Sequence, residues 1–99
     1  MRLLSWNVNG IRAALGKGAA ESLLEVNPDV FCLQETKARP EQVELPLELG
    51  GYRNYWNSAE KKGYSGTAIF SNEEPLDVFM GMGMDEHDNE GRVISAEYS

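Results

Sequence analysis

The chain has 99 residues, 41% hydrophobic and 25% charged, an ordinary globular composition of a size for one small domain. Its net charge of −7 excludes general adhesion to nucleic acid, so a DNA partner requires a local basic surface. No run approaches the ~18 consecutive apolar residues of a membrane-spanning helix, and the single cysteine, Cys32, excludes an internal disulfide framework.

Arg2 to Val8 reads as a strand, with no signal-peptide pattern before it. Leu4, Trp6 and Val8 alternate with Leu3, Ser5 and Asn7, and Leu3 on the second face predicts cover on both sides. Asn9-Gly10 is a breaker pair. A helix is predicted from Ile11 to Val26, divided near Gly16 and Gly18 and stopped at Asn27-Pro28-Asp29. Val30 to Leu33 is a continuous apolar run, the pattern of a central strand buried on both faces. It puts Cys32 in the core, and a buried thiol of this kind points to a reducing, cytoplasmic setting. Strand, helix and strand within about 33 residues form a βαβ unit.

Arg39-Pro40-Glu41 opens a weaker helical stretch carrying Val43, Leu45, Leu47 and Leu49, divided at Pro46 and ended by Gly50-Gly51. Further strands are predicted at Tyr52–Trp56, Tyr64–Ser71, Leu76–Met80 and Arg92–Tyr98. A basic loop, Lys61-Lys62-Gly63, and a long acidic loop from Gly81 to Gly91 lie between them. This order predicts an α/β (α+β) mixed sheet rather than a doubly wound one. A last strand running to Ser99 without a closing helix would leave a sheet edge open, so the chain reads as the front part of a larger domain.

Two polar groups stand where a buried strand would not choose them. Asn7 ends the first strand, and Glu35 follows the apolar run of the second. If the strands are neighbours, an amide and a carboxylate meet at one sheet edge, an arrangement able to hold a hard cation and a phosphate. A buried, ionised, unpaired carboxylate costs several kcal/mol. Mg²⁺ takes one or two protein carboxylates and keeps water and phosphate oxygens in its other positions. Spacing alone favours a plainer reading, a strand-end salt bridge from Glu35 to Lys37 or Arg12. Asn7 and Asn9 also read as turn-formers before Gly10.

Arg12 and Lys37 are candidate phosphate contacts, Arg as a bidentate fork and Lys as a point charge; their plain reading is solvated surface charge. With Arg39, Lys61 and Lys62 they place five of the nine basic residues in or beside the unusual polar segments. Gly66 in Tyr64-Ser65-Gly66 either admits a close backbone or marks a strand bulge, and Tyr64 can pack against a sugar-phosphate. Arg92 sits at a strand start, where it meets a phosphate or pairs with Asp85, Glu86 or Asp88. His87, the only histidine, reads as a surface residue. One His and one Cys build neither a Ser/His/Asp triad nor a zinc cluster, and neither a P-loop nor G-x-G-x-x-G is present.

Four segments follow one another in a familiar order: Ser5-Trp6-Asn7-Val8-Asn9-Gly10-Ile11-Arg12-Ala13, Leu33-Gln34-Glu35-Thr36-Lys37, Lys62-Gly63-Tyr64-Ser65-Gly66-Thr67-Ala68 and Asn89-Glu90-Gly91-Arg92-Val93-Ile94. Together they resemble the exonuclease III type of apurinic/apyrimidinic DNA endonuclease, within the endonuclease/exonuclease/phosphatase superfamily. The resemblance implies a four-layer α-β-β-α sandwich of which this chain supplies roughly the first half, residues 1–99 being the N-terminal part of a single domain. It implies a cytoplasmic, monomeric DNA-repair nuclease that uses Mg²⁺, with Mn²⁺ as the alternative. That enzyme would incise double-stranded DNA 5′ to abasic sites or act at 3′ ends as an exodeoxyribonuclease.

The resemblance also implies site roles. Glu35 is the metal carboxylate and Asn7 its catalytic companion beside metal and phosphate, while Arg12, Lys37, Tyr64 and Arg92 line the DNA-backbone surface. Asn9 stands where some members carry an aspartate. The family's catalytic Tyr, Asp/Asn pair and terminal Asp-His pair fall beyond the matching region, so the 99-residue piece alone is expected to be inactive. Two rivals remain. One is another superfamily phosphoesterase: an inositol phosphatase, a sphingomyelinase or a deadenylase. The other is a self-associating, inactive fragment that only binds metal.

Overall fold

A computed structural model of the protein describes residues 1–81 and 90–98. The centre of the acidic loop, with Asp85, Glu86, His87, Asp88 and Asn89, lies outside the described residues. The alternating and continuous apolar runs form strands close to where their patterns place them. These are β1 (Leu3–Asn7), β2 (Val30–Gln34), β3 (Arg53–Asn57), β4 (Thr67–Ser71), β5 (Asp77–Met80) and β6 (Ile94–Glu97). The first helical stretch divides as predicted, into α1 (Ile11–Gly16) and α2 (Ala19–Val26).

The first four strands make one mixed sheet in the order β1-β2-β4-β3, while β5 and β6 pair antiparallel in a separate ribbon. β1 runs parallel to β2, as the βαβ crossover requires, and β4 is antiparallel to both β2 and β3. On one face of the sheet Phe31, Leu33, Ala68 and Phe70 pack with Val8, Ile11, Ala20, Leu23 and Leu49 into the core. Phe31 and Phe70 stack with centroids 4.7 Å apart, and Tyr52 meets Phe31 edge-on at 4.9 Å. The Tyr52 hydroxyl donates to the Pro28 carbonyl at 2.7 Å, which satisfies its polar end.

The opposite face is covered unevenly. Tyr98, just past β6, donates to Ser71 Oγ at 2.8 Å, and Asn57 Nδ2 donates to the Val93 carbonyl at 2.6 Å. The ribbon thus lies over the β4–β3 half, while Leu3, Ser5 and Asn7 on the β1 side are exposed. Two expectations change as a result. β1 is not covered on both sides, since Leu3 is 68% exposed. Cys32 shares this second face with Ser5, so it is half-buried rather than a core residue, and that burial pushes its thiol pKa up.

The stretch from Arg39 to Leu49 is not an α-helix. It forms two short 3₁₀ turns, Pro40–Gln42 and Leu47–Leu49. The apolar residues Val43, Leu45, Leu47 and Leu49 recur at period two, not 3.6, and Pro46 removes a donor from the middle. The predicted Tyr64–Ser71 strand begins only at Thr67, because Ser65 (φ 51) and Gly66 (φ 93) are both left-handed and cannot continue a pleat. No helix among the described residues is long and apolar enough to cross a membrane.

Candidate active site

Parallel pairing of β1 with β2 sets Asn7 opposite Gln34, so the two strand tips are level. Strict strand alternation would send the next side chain, Glu35, to the core face and away from Asn7. The backbone of Glu35 instead turns left-handed (φ 52), which ends the alternation and brings the carboxylate back to the Asn7 side. There Asn7 Nδ2 donates to Glu35 Oε2. Asn7 Oδ1 accepts the Asn9 N–H at 3.0 Å, and Asn9 Oδ1 accepts from Lys37 Nζ at 2.6 Å. Lys37 Nζ also lies 3.8 Å from Glu35 Oε1, closing a small ring of polar groups.

The plain salt-bridge reading of Glu35 therefore has a partner in Lys37, but a loose one. The two side chains are 40% and 43% exposed at that separation. Ion pairs of this kind are worth about 0–1 kcal/mol. Arg12 is not its partner: it is exposed on α1 and does not line the cleft at the strand tips.

Asn7, Gln34, Glu35, Ser65, Gly66, Thr67 and Arg92 line this cleft. Arg92 Nε donates to Glu90 Oε1 at 2.7 Å, and Nη2 donates to the Tyr64 hydroxyl at 2.6 Å. These bonds, that to Glu90 first, raise the Arg92 pKa further above its already high ordinary value. The Tyr64 ring has Arg92 Cζ 5.4 Å and Lys61 Nζ 5.2 Å from its centroid, a half-buried aromatic between two cations. Of the acidic partners expected for Arg92, Asp85, Glu86 and Asp88 lie outside the described residues, and Glu90 takes that place.

Gly91 fixes how Arg92 enters the cleft. It is left-handed (φ 62), and a Cβ there would lie 2.6 Å from the Ser58 carbonyl carbon and 2.7 Å from the Asn57 oxygen. Both obstacles are backbone, so no side-chain rotation relieves them. Gly91→Ala is expected to destabilise the protein by about 1–3 kcal/mol and to pull Arg92 out of the cleft. A urea titration reads the first effect, and an unchanged midpoint would refute the close packing.

The sequence reading did not include Gln34, Ser65 or Thr67 in the site. Gln34 was accessible to it, since strand parity puts Gln34 on the same face as Asn7, where its Nε2 donates to Ser5 Oγ at 3.0 Å. Ser65 and Thr67 arrive through a long-range loop contact that no local pattern announces. The donor set suits a hard, weakly coordinated cation. Glu35 Oε1 is not used by Asn7, and Asn7 Oδ1 retains a second lone pair. No cluster of three His, Cys, Asp or Glu side chains occurs among the described residues. One carboxylate with space for water and phosphate oxygens fits Mg²⁺ or Mn²⁺ rather than a closed zinc centre.

A profile of the Endonuclease/Exonuclease/phosphatase family matches residues 4–98, and the chain belongs to that family. Among its relatives, it is 56% identical over 99 residues to the exodeoxyribonuclease of Bacillus subtilis (strain 168), a match covering 99% of this chain and 38% of that protein. It is 42% identical over 98 residues to a DNA-(apurinic or apyrimidinic site) endonuclease of Dictyostelium discoideum, covering 99% of this chain and 27% of that one. The solved structure of an AP endonuclease from Archaeoglobus fulgidus matches with a TM-score of 0.82 at 33% identity, over 100% of this chain and 37% of that one. The chain therefore spans between 27% and 38% of the length of these proteins. The expected family and α/β fold are those found.

Proposed function

We propose that residues 1–99 are the N-terminal part of a single domain of a cytoplasmic DNA-repair nuclease. The domain hydrolyses phosphodiesters of double-stranded DNA, 5′ to abasic sites or at 3′ ends, with Mg²⁺ or, in its place, Mn²⁺. The observation that carries this reading is the hydrogen bond joining Asn7 to Glu35 at two parallel strand tips, beside the cations Lys37 and Arg92. Similarity to an exodeoxyribonuclease and to apurinic or apyrimidinic site endonucleases supports DNA as the substrate class.

Glu35 would hold the ion, and Asn7 orients its carboxylate through the amide while keeping an oxygen toward the same space. Bound there, a divalent ion supplies positive charge to a phosphodiester oxygen and to the charge that builds on it during displacement. Lys37 and Arg92 neutralise backbone phosphates, Arg92 being held in place by Tyr64 and Glu90. The chain spans 38% of the Bacillus subtilis exodeoxyribonuclease and 37% of the Archaeoglobus fulgidus AP endonuclease, and the catalytic Tyr, Asp/Asn pair and Asp-His pair that the resemblance implies fall beyond the matching region. The 99-residue chain alone should therefore turn over no substrate.

The test is incubation of the full-length protein with a duplex carrying one abasic site and with a phosphoinositide, each with Mg²⁺ and with chelator. Incision of the duplex 5′ to the site, abolished by chelator, is expected. Release of phosphate from the inositide with the duplex left intact would refute the DNA reading. Clean incision by the 99-residue chain itself would refute the incomplete site. Phosphate contacts should also show in salt dependence. Lys37→Ala is expected to weaken binding similarly for all duplex sequences and to lower the slope of log K against log salt by about 0.9. An unchanged slope would remove Lys37 from the interface.

A further inference from the structure

Glu35 reaches Asn7 only because its backbone leaves the extended region. Glu35 (φ 52) and Lys37 (φ 54) are both left-handed, with Thr36 between them, and neither is a residue type that favours this conformation. Two such residues in one short turn persist only where the surroundings over-determine them. On one side, Gly10 N–H and Ile11 N–H donate to the carbonyls of Glu35 (2.8 Å) and Thr36 (2.9 Å). On the other, Thr36 N–H donates to the Gly66 carbonyl (3.1 Å) and Lys37 N–H to that of Ser65 (2.7 Å). The turn is thus clasped between the loop after β1 and the loop before β4.

Thr36 is the buried centre of this clasp. It is 1% exposed, and its Oγ1 has no hydrogen-bond partner among the described residues. It lies directly over the bare Cα of Gly66, where an added Cβ would fall inside van der Waals contact of Oγ1. Gly66 is itself left-handed (φ 93). A buried hydroxyl without a partner costs desolvation rather than adding stability, so what Thr36 contributes here is the space it fills.

We propose that Thr36 and Gly66 are positioning residues: the Thr36 side chain, keyed against the Gly66 Cα, locks the Glu35–Lys37 turn and so aims the Glu35 carboxylate at Asn7 and the cation. Thr36 does not line the cleft, and Gly66 borders it without a side chain to offer a ligand. The part that concerns the cation rests on the metal reading above; the aim of the carboxylate does not.

NMR of the metal-free protein tests it, because the Asn7 side-chain amide reports its bond to Glu35 directly. Gly66→Ala is expected to shift that resonance toward a free amide and to speed exchange of the Thr36 and Lys37 amides at least about tenfold, with Leu33 in β2 still protected. Affinity for Mn²⁺, read from paramagnetic broadening, should fall about tenfold. Thr36→Ala combined with Gly66→Ala removes the clashing oxygen and should recover at least about threefold of that loss. Thr36→Val keeps the shape without the hydroxyl and should behave as wild type. Thr36→Ala alone replaces Gly66→Ala as the test if the latter does not fold, with the same shift and faster exchange expected.

A folded Gly66→Ala protein with an unmoved Asn7 resonance and unchanged exchange would overturn the clasp; so would Thr36→Val being as damaging as Gly66→Ala. If the wild type binds no Mn²⁺ while Gly66→Ala still frees the Asn7 amide, the metal reading fails and the clasp stands. If the wild type binds Mn²⁺ and the folded variant binds it equally with Asn7 unmoved, the clasp fails and the metal reading stands.

Discussion

Glu35→Gln in the full-length protein is expected to lower kcat/KM on abasic duplex at least about 100-fold at limiting Mg²⁺, with partial recovery as Mg²⁺ is raised. The reasoning is one of charge at constant shape. Glutamine has the size of glutamate and can still accept a hydrogen bond from Asn7 Nδ2, so the strand tips keep their arrangement. What disappears is the negative charge on Oε1, the oxygen not engaged by Asn7. The rival view makes Glu35 a structural ion pair with Lys37. That pair is 3.8 Å long and both partners are well exposed. Its loss would change stability by less than about 1 kcal/mol. The two views therefore separate in magnitude as well as kind. Kinetics across a Mg²⁺ series together with a denaturant titration decide between them. A large stability loss with normal kinetics would favour the salt bridge and remove the metal role.

The parts of this fold that the sequence made legible are those where one physical demand dominates. β2 is fully buried on its core face and largely covered on the other, so a continuous apolar run suits it, and Val30 to Leu33 is that run, with Cys32 half-buried. Asn7 and Glu35 stood out because each interrupts such a run with a group that needs a partner. The site's aim was not legible. Strand alternation alone would point Glu35 away from Asn7; the left-handed turn that reverses this is imposed by Ser65 and Gly66, distant in the chain. Likewise, two 3₁₀ turns stand in place of a helix because the period-two spacing of Val43, Leu45, Leu47 and Leu49 offers no helical face and Pro46 removes a donor; only Leu49 of the four is fully buried, and Leu47 is 95% exposed. Exposure of Leu3 reflects where the β5–β6 ribbon docks, again a tertiary fact.

The sheet that aligns these strand tips packs its main core on one face, and the centre of that core is the stacked pair Phe31 and Phe70, both 0% exposed. Phe70→Ala is expected to cost about 3–5 kcal/mol through lost burial and the cavity left behind. Part of that loss is the aromatic pairing, since Phe70 also meets Trp56 edge-on at 5.9 Å, and such pairs contribute about 0.5–1.5 kcal/mol beyond area. Against a total stability of about 5–15 kcal/mol for an ordinary domain, this is enough to bring the protein close to unfolding. Phe70→Leu keeps apolar volume and should cost less, about 1–2 kcal/mol. Phe31→Ala combined with Phe70→Ala should cost less than the sum of the two, because the stacking is lost only once. The functional consequence contrasts with Glu35→Gln. β4 carries Phe70 and begins at Thr67, next to the Ser65–Gly66 loop, so loosening this core should lower Mn²⁺ affinity and stability together rather than separately. Urea midpoints with an unchanged m-value, measured beside Mn²⁺ binding, read both quantities. A Phe70→Ala protein with a wild-type midpoint would mean that this face of the sheet is not what holds the strand tips in register.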